Sequence, residues 1–234
     1  QTRQGHEVMY AGVDPSITNT GVVVLNATGQ VLGCFNSKHR TGKAKASTPY
    51  QRVFRYGEIA AFATNCIHSC AGKGPCIVGY EDYSFDSENK AFTIGELGGV
   101  LKLELVTRVG DLLLAAPQRV KSFATGHGTA GKEKMVKQAT SESSYISQLT
   151  KKDRTDDVCD AYFLAKIAWY TADPKQAAEH DTDRGLVRHR LSIAKQMTKE
   201  LNNGERNHLS TLPAWQRRIA SGHSNGKQQR GTSP

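Results

Sequence analysis

The sequence predicts an α/β fold, a mixed five-stranded sheet flanked by helices, followed by a basic C-terminal extension. Three strand-like runs open the chain and are separated by only a few turn residues, which is typical of an antiparallel meander. Two later apolar runs follow stretches with helical periodicity, and such crossovers place their strands parallel to the first. Positive charge is concentrated beyond residue 183, which separates the extension from the folded domain.

The secondary structure elements are assigned in order from apolar periodicity and turn residues. The predicted strands span residues 8–14, 20–26, 30–38, 76–81 and 111–116. The predicted helices span residues 50–70, 88–109 and 157–171, and two shorter helices begin at Pro117 and Gly131. The glycines within 88–109 would weaken that helix unless a close contact requires them. Residues 141–155 are polar and are predicted to form a loop.

The charge distribution points to a polyanionic partner. The formal net charge is +9. Residues 1–183 carry 21 Lys and Arg against 20 Asp and Glu, whereas residues 184–234 carry 10 against 2. Such an asymmetry favours nucleic acid, because basic side chains neutralise phosphates and release counterions. A solvated tail that only improves solubility is the alternative.

The extension is expected to contain a linker, an amphipathic helix and a disordered tail. Residues 173–204 hold the linker and the helix, which spans 184–202, with Asp183 as its cap and Gly204 at its end. Its basic residues, Arg184, Arg188, Lys195 and Lys199, share a face that differs from the apolar one. This face is interpreted either as a phosphate contact or as an ordinary solvated charged face. Residues 205–234 are expected to be a disordered basic tail.

Composition also bears on the compartment. No apolar run approaches the roughly 20 residues that span a bilayer, and the polar N-terminus lacks the apolar core of a secretion signal. The five cysteines are an odd number, which favours a reducing, intracellular location in the cytoplasm or nucleoid, with a phage-infected cell or an organelle as the alternatives. Cys66, His68, Cys70 and Cys76 could form a zinc site, although their spacing lacks the usual paired C-x-x-C form.

Four carboxylates in three separate segments are the most informative residues of the chain. Asp14 and Glu81 each end an apolar strand, and ligand sites in such sheets gather at the carboxyl ends of strands. Asp157 and Asp160 are three residues apart and so share one face of a helix. Buried carboxylates are costly unless something positive joins them. The four predict a site for one or two divalent metal ions, and in a basic protein this suggests phosphodiester hydrolysis.

Each carboxylate taken alone has an ordinary structural explanation. An Asp at the end of a strand is commonly a turn residue, and Asp157 could cap its helix. The metal interpretation therefore depends on all four acting together. Nearby acidic residues compete for the role: Asp153 and Asp156 are interpreted as loop charges, and Asp82 and Asp86 as weaker candidates for the site.

Several sequence blocks resemble those of a known family. Residues 12–21 are similar to its opening Gly-Ile-Asp-Pro-Gly strand and following Thr-Gly, although Ser16 replaces the usual Gly. Residues 79–81 resemble its Ile-Glu, residues 91–100 its Gly-rich helix, residues 117–132 its Pro-x-x-Val-Lys and Gly-x-Gly-x-Ala-x-Lys block, and residues 157–161 its Asp-x-x-Asp-Ala. The family is the RuvC-type Holliday junction resolvases of the RNase H-like superfamily. The resemblance covers about residues 8–171, within a nuclease domain expected over 8–172.

The resemblance implies a metal-dependent endodeoxyribonuclease that resolves four-way DNA junctions in recombination and repair. Asp14, Glu81, Asp157 and Asp160 would be catalytic residues that hold two Mg²⁺ ions, for which Mn²⁺ could substitute. Lys121 and Lys132 would be catalytic residues that offset the charge of the scissile phosphate or position the strand. His127 lies in the same block, where an ordinary loop histidine is the simpler interpretation.

The expected partners are branched DNA and a second copy of the chain. The residues expected to contact DNA are Lys121, Lys132, Lys134, Tyr83, Phe85, Arg184, Arg188, Lys195 and Lys199. Either Tyr83 or Phe85 would insert at the junction centre, since Phe85 lies one place further from Glu81 than the family's aromatic residue. A homodimer with two-fold symmetry would match the near two-fold symmetry of a junction. The family implies that this dimer forms through the helix over 88–109.

Three other functions fit parts of the sequence. Another RNase H-like nuclease, acting on flaps, other branched DNA or RNA–DNA hybrids, would have the same carboxylates. An actin-like or sugar-kinase-like ATPase also begins with a strand, an Asp and a Thr/Gly hairpin, but it needs a second nucleotide-binding lobe that this length does not provide. A non-catalytic DNA-binding module would not need all four carboxylates.

Overall fold

The computed structural model describes residues 7–37, 48–72, 74–82 and 91–211, with the backbone alone at 91 and over 202–211. The chain divides into two units, residues 1–194 and residues 195–234. The strands are β1 Met9–Asp14, β2 Gly21–Leu25, β3 Val31–Asn36, β4 Cys76–Glu81 and β5 Gly110–Ala115. The helices are α1 Pro49–Ala71, α2 Ala91–Arg108, α3 Pro117–Thr125, α4 Lys132–Glu142, α5 Ser144–Gln148, α6 Asp156–Ala172, α7 Pro174–His180 and α8 Val187–Thr211.

The five strands form one mixed sheet in the order β3-β2-β1-β4-β5. The first three strands are antiparallel, and β4 and β5 lie parallel to β1. Val13 pairs with Tyr80, so that the next residues, Asp14 and Glu81, end neighbouring strands at the same edge. The predicted mixed five-stranded sheet with flanking helices is therefore confirmed.

One helix lies unusually close to the sheet. A Cβ atom at Gly12 of β1 would lie 1.8 Å from the carbonyl oxygen of Ala161 in α6. At Gly79 of β4 it would lie 2.2 Å from the carbonyl oxygen of Leu164. Glycine is required at both positions because its missing side chain lets two backbones approach. This contact fixes the position of α6, whose first turns carry Asp157 and Asp160.

The opposite face of the sheet is covered by α1 and α2. Thr48 precedes α1 and forms a capping box with Gln51. The Thr48 side chain accepts a hydrogen bond from the Gln51 amide, and the Gln51 side chain accepts one from the Thr48 amide. The inward residues of the two helices are fully buried and form one core cluster with the sheet; they include Tyr56, Ile59, Ala63, Ile67, Leu97, Leu101 and Leu105. None of the described helices has the length and apolar character needed to cross a membrane.

Two sequence-based assignments of loop structure were wrong. The predicted loop over 141–155 contains the end of α4 and all of α5, because Ser143 caps α5 and Ile146 is buried. The predicted linker after residue 173 contains α7, which begins with Pro174, and Asp173 caps it. Both helices are too short to show a clear apolar period.

The predicted amphipathic helix over 184–202 begins later and ends later. It runs from Val187 to Thr211, so Gly204 does not end it. Asp183 accepts hydrogen bonds from the amides of Gly185 and Leu186, in the turn that precedes the helix. Residues 212–234, which include most of the expected tail, lie outside the described residues.

Candidate active site

The four predicted carboxylates line a single cavity of about 260 Å³ at the carboxyl edge of the sheet. The residues that line it are Asp14, Glu81, Pro117, Val120, Lys121, Lys132, Met135, Asp156, Asp157 and Asp160. The structure thus brings together side chains that lie up to 146 positions apart in sequence. Both lysines named from the sequence, Lys121 and Lys132, lie in the same cavity.

The four acidic side chains reach the cavity from three different elements. Asp14 is the last residue of β1 and Glu81 is the last residue of β4, on two neighbouring parallel strands. Asp157 and Asp160 come from the start of α6, which Thr155 caps by accepting from the amide of Val158. The negative charges near this N-terminus interact favourably with the helix dipole.

The two lysines come from the helices that follow the sheet. Lys121 lies in the middle of α3, and Lys132 is the first residue of α4. Gly126 follows α3 with a φ of 78°, the left-handed conformation that commonly ends a helix and that glycine adopts without strain. The chain then turns back, and Lys132 is brought to the cavity that Lys121 already lines.

Burial and mutual repulsion raise the pKa values of the carboxyls. The pKa of Asp14 is raised well above its ordinary value, first by burial and then by the charges of Glu81, Asp160 and Asp157. Burial, followed by the charge of Asp160, raises the pKa of Glu81 to about 7. Burial, followed by the charge of Asp157, raises the pKa of Asp160 to about 6. Ionising all four carboxyls without a counter-ion is therefore unfavourable, and a bound cation would relieve the repulsion.

A divalent cation fits this donor set. All four groups are hard oxygen donors, and the Oδ1 atom of Asp160 is buried without a hydrogen-bond partner. The carboxylates do not yet form a ligand cage, since no three His, Cys, Asp or Glu side chains in the described part are arranged to hold an ion. Asn19 donates a hydrogen bond to Oδ2 of Asp157, so this carboxylate oxygen has a protein partner.

Two residues at the site had been missed or misassigned. Asp156, interpreted from the sequence as a loop charge, is the first residue of α6 and lines the cavity. Its Oδ2 atom lies 2.7 Å from Lys132 Nζ. Lys132 is 79% exposed and Asp156 45% exposed, so this pair orients the lysine and adds little stability. Asn19 was not singled out, although it stands in the block of residues 12–21.

Other acidic candidates point elsewhere. Asp82 pairs with Lys102 at 3.0 Å and does not line the cavity. Asp153 accepts a hydrogen bond from Thr150 at 2.6 Å, in keeping with its interpretation as a loop charge. His127 follows α3 and does not line the cavity either. Asp86 lies outside the described residues.

The residues expected to contact DNA are distributed over several surfaces. Lys134 is exposed on α4. Arg184 precedes α8 and donates to the carbonyls of Ala178 and Glu179 in α7, so it does not belong to a basic face of α8. Arg188 is exposed on α8, and Lys195 and Lys199 are exposed in the second unit. Tyr83 and Phe85 lie outside the described residues.

The zinc alternative gains no support from the described residues. Cys66, His68, Cys70 and Cys76 do not form a group arranged to hold an ion, and they line no cavity with the acidic residues. His68 Nε2 instead lies 3.0 Å from the carbonyl oxygen of Arg108. Cys66 and Cys76 are buried as small apolar residues, and burial raises the pKa of the Cys76 thiol to about 12.

The mixed sheet, the acidic cavity at its carboxyl edge and the acidic helix beside it define a metal-dependent nuclease with an RNase H-like fold. The family model described as Crossover junction endodeoxyribonuclease RuvC matches residues 10–167. The chain therefore belongs to the RuvC family, as the sequence blocks had indicated. This assignment removes the ATPase alternative.

Named relatives belong to the same family, and solved structures share the fold. The RuvC of Natranaerobius thermophilus is 29% identical over 158 residues, which cover 66% of this chain and 89% of that protein. The RuvC of a Synechococcus species is 24% identical over 163 residues, or 68% and 96% of the two chains. The Thermus thermophilus RuvC structure has a TM-score of 0.52 at 23% identity and covers 70% of this chain and 95% of that one. The structure of T. thermophilus RuvC in complex with a Holliday junction substrate has a TM-score of 0.51 at 22% identity. It covers 76% of this chain and 96% of that one.

The burial and crowding of the carboxylates predict that Asp160→Asn stabilises the metal-free protein at pH 8, by about 1–3 kcal/mol. The pKa of Asp160 is higher in the folded protein, so folding binds a proton there, and stability falls as pH rises from about 4 towards about 6. A neutral amide removes that loss. Urea unfolding in EDTA should show the gain at pH 8 and little of it at pH 4. An equal difference at both pH values would contradict the electrostatic explanation.

Proposed function

We propose that this chain cuts four-way DNA junctions by paired, Mg²⁺-dependent hydrolysis of phosphodiester bonds, using Asp14, Glu81, Asp157 and Asp160 as metal ligands. The observation that carries the proposal is that these four carboxylates and Lys121 and Lys132 line one cavity. The nuclease domain would span residues 8–172, close to the range of the family match. All five cysteines are free, which supports an intracellular, reducing location in the cytoplasm or nucleoid.

The four carboxylates act as ligands only when they are ionised. Their raised pKa values mean that they give up protons as a cation enters the cavity. Bound Mg²⁺ supplies activation of the attacking water and stabilisation of the leaving oxygen. Mn²⁺, which accepts the same oxygen ligands, should substitute for it.

The lysines and Asp156 act on the substrate side of the cavity. Lys121 and Lys132 place positive charge where negative charge develops on the phosphate, which lowers the barrier. Asp156 holds Lys132 at 2.7 Å, so an incoming phosphate competes with this carboxylate for the lysine. Hydrolysis by a metal-activated water needs no covalent intermediate, and the described lining of the cavity contains neither Ser nor His.

The proposal includes a homodimer formed through the outer faces of α1 and α2. Six large apolar side chains are exposed on these helices: Tyr50, Val53, Phe54, Phe92, Leu103 and Val106. Phe92 is 91% exposed and Leu103 67% exposed, and apolar patches of this kind commonly mark protein interfaces. A Cβ atom at Gly99 would meet nothing within 4 Å, so a partner helix can approach there.

Leu103→Lys is expected to convert the dimer to monomers and to change paired cuts into single nicks. A charge at this exposed apolar position would be buried without a partner in the dimer, which is costly. Sedimentation velocity measures the association, and the ratio of nicked to linear product from a cruciform plasmid measures the pairing of cuts. Leu32→Lys, at an exposed leucine of β3, is the matched control and should leave both unchanged. A variant that stays dimeric would refute this interface.

The substrate class is tested by comparing cleavage of five DNA and hybrid substrates of equal length in Mg²⁺. These are an immobile four-way junction, a three-way branch, a flap, a linear duplex and an RNA–DNA hybrid. The proposal predicts that the junction is cut fastest and at symmetric positions in opposing strands. Faster cleavage of the flap or the hybrid would replace it with the other RNase H-like nuclease that the sequence allows.

A further inference from the structure

A buried network of four charged side chains ties the segment after α6 to the nuclease domain. Four charged side chains are almost fully buried here: Glu142 of α4, Lys166 of α6, Asp181 directly after α7, and Arg190 of α8. Lys166 Nζ lies 2.5 Å from Glu142 Oε2 and 2.9 Å from Asp181 Oδ1. Arg190 lies 2.5 Å from Glu142 Oε1 and 2.6 Å from Asp181 Oδ2. Two positive and two negative charges therefore balance in the interior.

Net stability is a weak explanation for such a network. The cost of removing charges from water often cancels their attraction, and the better attested role of buried ionic groups is to select one arrangement of the elements that carry them. Burial of Asp181 opposes its ionisation, but Lys166 and Arg190 lower its pKa to about 2. Asp181 is thus ionised at neutral pH, where both cations of the network donate hydrogen bonds to it.

Arg190 also binds the end of the helix that carries Lys121. Its Nε atom donates to the carbonyl of Phe123 at 3.1 Å and its Nη2 atom donates to the carbonyl of Ala124 at 3.3 Å. The preceding residue, His189, approaches Ser122 at 3.1 Å. These contacts lie within three residues of Lys121 on α3, and carbonyls at a helix end otherwise lack partners.

The same arginine binds α4 directly and is linked indirectly to α6, and these are the two other helices that line the cavity. Glu142 is the last residue of α4, whose first residue is Lys132. Lys166 stands on α6, the helix that begins with the acidic residues of the site, and it shares Glu142 and Asp181 with Arg190. Arg190 thus joins the ends of α3 and α4 away from the cavity directly, and it is linked to α6 through the two carboxylates that it shares with Lys166.

We infer that Arg190 is a positioning residue for cleavage: by holding the ends of α3 and α4 together it sets the placement of Lys121 and Lys132 at the cavity. The inference rests on the proposed function, because it assumes that both lysines act on the substrate phosphate. It gives the segment after residue 172 a role within the catalytic domain that is separate from any contact with DNA.

The first test is Arg190→Lys in the full chain. Lysine keeps the charge balance but lacks the planar fork that reaches two carbonyls and two carboxylates at once. We expect the single-turnover rate of junction cleavage to fall roughly tenfold to a hundredfold, with junction affinity unchanged, because small misplacements of catalytic groups have effects of this size.

Tyr170→Phe is the matched control. It removes a hydroxyl that donates to Asp181 at 2.5 Å but keeps every hydrogen bond to α3 and α4. Its cleavage rate should match the wild type.

A double-mutant cycle with Lys121→Ala separates positioning from general destabilisation. If Arg190 acts through Lys121, the combined loss of rate is smaller than the product of the two single losses. Rate losses that simply multiply, or an equal loss in Tyr170→Phe, would overturn the inference. A second double-mutant cycle combines Glu142→Gln with Lys132→Ala and tests the link through α4. It replaces the cycle with Lys121→Ala if Arg190→Lys does not fold.

Hydrogen exchange supplies a readout that does not depend on activity. The amides at the end of α3, over 122–126, should exchange faster in Arg190→Lys than in Tyr170→Phe at equal global stability. Equal exchange in the two variants would overturn the inference. A wild-type protein that fails to cut junctions would instead refute the proposed function, while this exchange measurement would still decide the role of Arg190 in holding α3.

Discussion

Asp14→Asn is expected to lower the single-turnover rate of junction cleavage by about 10³-fold or more while leaving junction binding almost unchanged. Asp14 experiences the charges of Glu81, Asp160 and Asp157, and its pKa is raised well above the ordinary value. Asparagine has nearly the same shape but no negative charge. The proposed metal site therefore loses one of its four carboxylate ligands. Cleavage is measured in Mg²⁺, and binding is measured by gel shift in EDTA.

Asp153→Asn provides the matched control for this prediction. Asp153 is exposed, accepts a hydrogen bond from Thr150 and does not line the cavity. The same chemical change there should leave the rate within about twofold, as surface substitutions away from a site usually do. If Asp14→Asn cut junctions at the wild-type rate, the assignment of the acidic cavity as the active site would be refuted.

Gly12→Ala is expected to destabilise the protein by about 3 kcal/mol or more, at the upper end of the cost of overpacking a core. The added Cβ would lie 1.8 Å from the Ala161 carbonyl oxygen and 2.5 Å from the Ala165 amide nitrogen. Both are backbone atoms, so no side-chain rotation relieves the clash and α6 must move away from β1. Because α6 carries Asp157 and Asp160, the remaining folded protein should also cut slowly. Urea unfolding of the metal-free protein measures the loss of stability.

Gly57→Ala is the matched control within the same fold. Gly57 lies in α1, and a Cβ atom there would meet nothing within 4 Å. Alanine is the better helix former, so this variant should gain about 0.5–1 kcal/mol. A Gly12→Ala protein with an unchanged unfolding midpoint would show that α6 does not depend on the close contact with β1.

The sheet and the acidic cavity could be predicted because local patterns specify them. Apolar runs of strand length, separated by turns or by helical periods, were enough to place β4 parallel to β1. The carboxyl ends of parallel strands meet at one edge, so the acidic residues that close those runs, Asp14 and Glu81, had to lie together. The spacing of Asp157 and Asp160 then placed both on one face of the helix that packs beside them.

The close approach of α6 had a signal that was not used. Gly12 and Gly79 interrupt strands that are otherwise apolar, and a glycine inside a strand often marks a point where another backbone approaches closely. The sequence analysis instead expected a close contact at the glycines of α2. A Cβ atom at Gly99 would meet no other atom of the described chain within 4 Å. Glycine alone does not reveal whether the approaching chain is the protein's own or a partner's.

The buried charge network could not be assembled from the sequence. Lys166 stands between Ala165 and Ile167 in an apolar helix, which signals a buried charge that needs a partner. Its partners Glu142 and Asp181 lie 24 and 15 positions away, in segments that were assigned as a loop and a linker. No periodicity relates such residues, because the helices that bring them together are set by tertiary packing.

The most direct test of the metal site is a crystal structure of the protein grown with Mn²⁺, with anomalous diffraction data collected to locate the ion. The account predicts anomalous peaks within the cavity, at ligand distance of about 2.0–2.6 Å from Asp14 and at least two of Glu81, Asp157 and Asp160. Peaks at other places with none near Asp14, at Mn²⁺ concentrations that support cleavage, would contradict it.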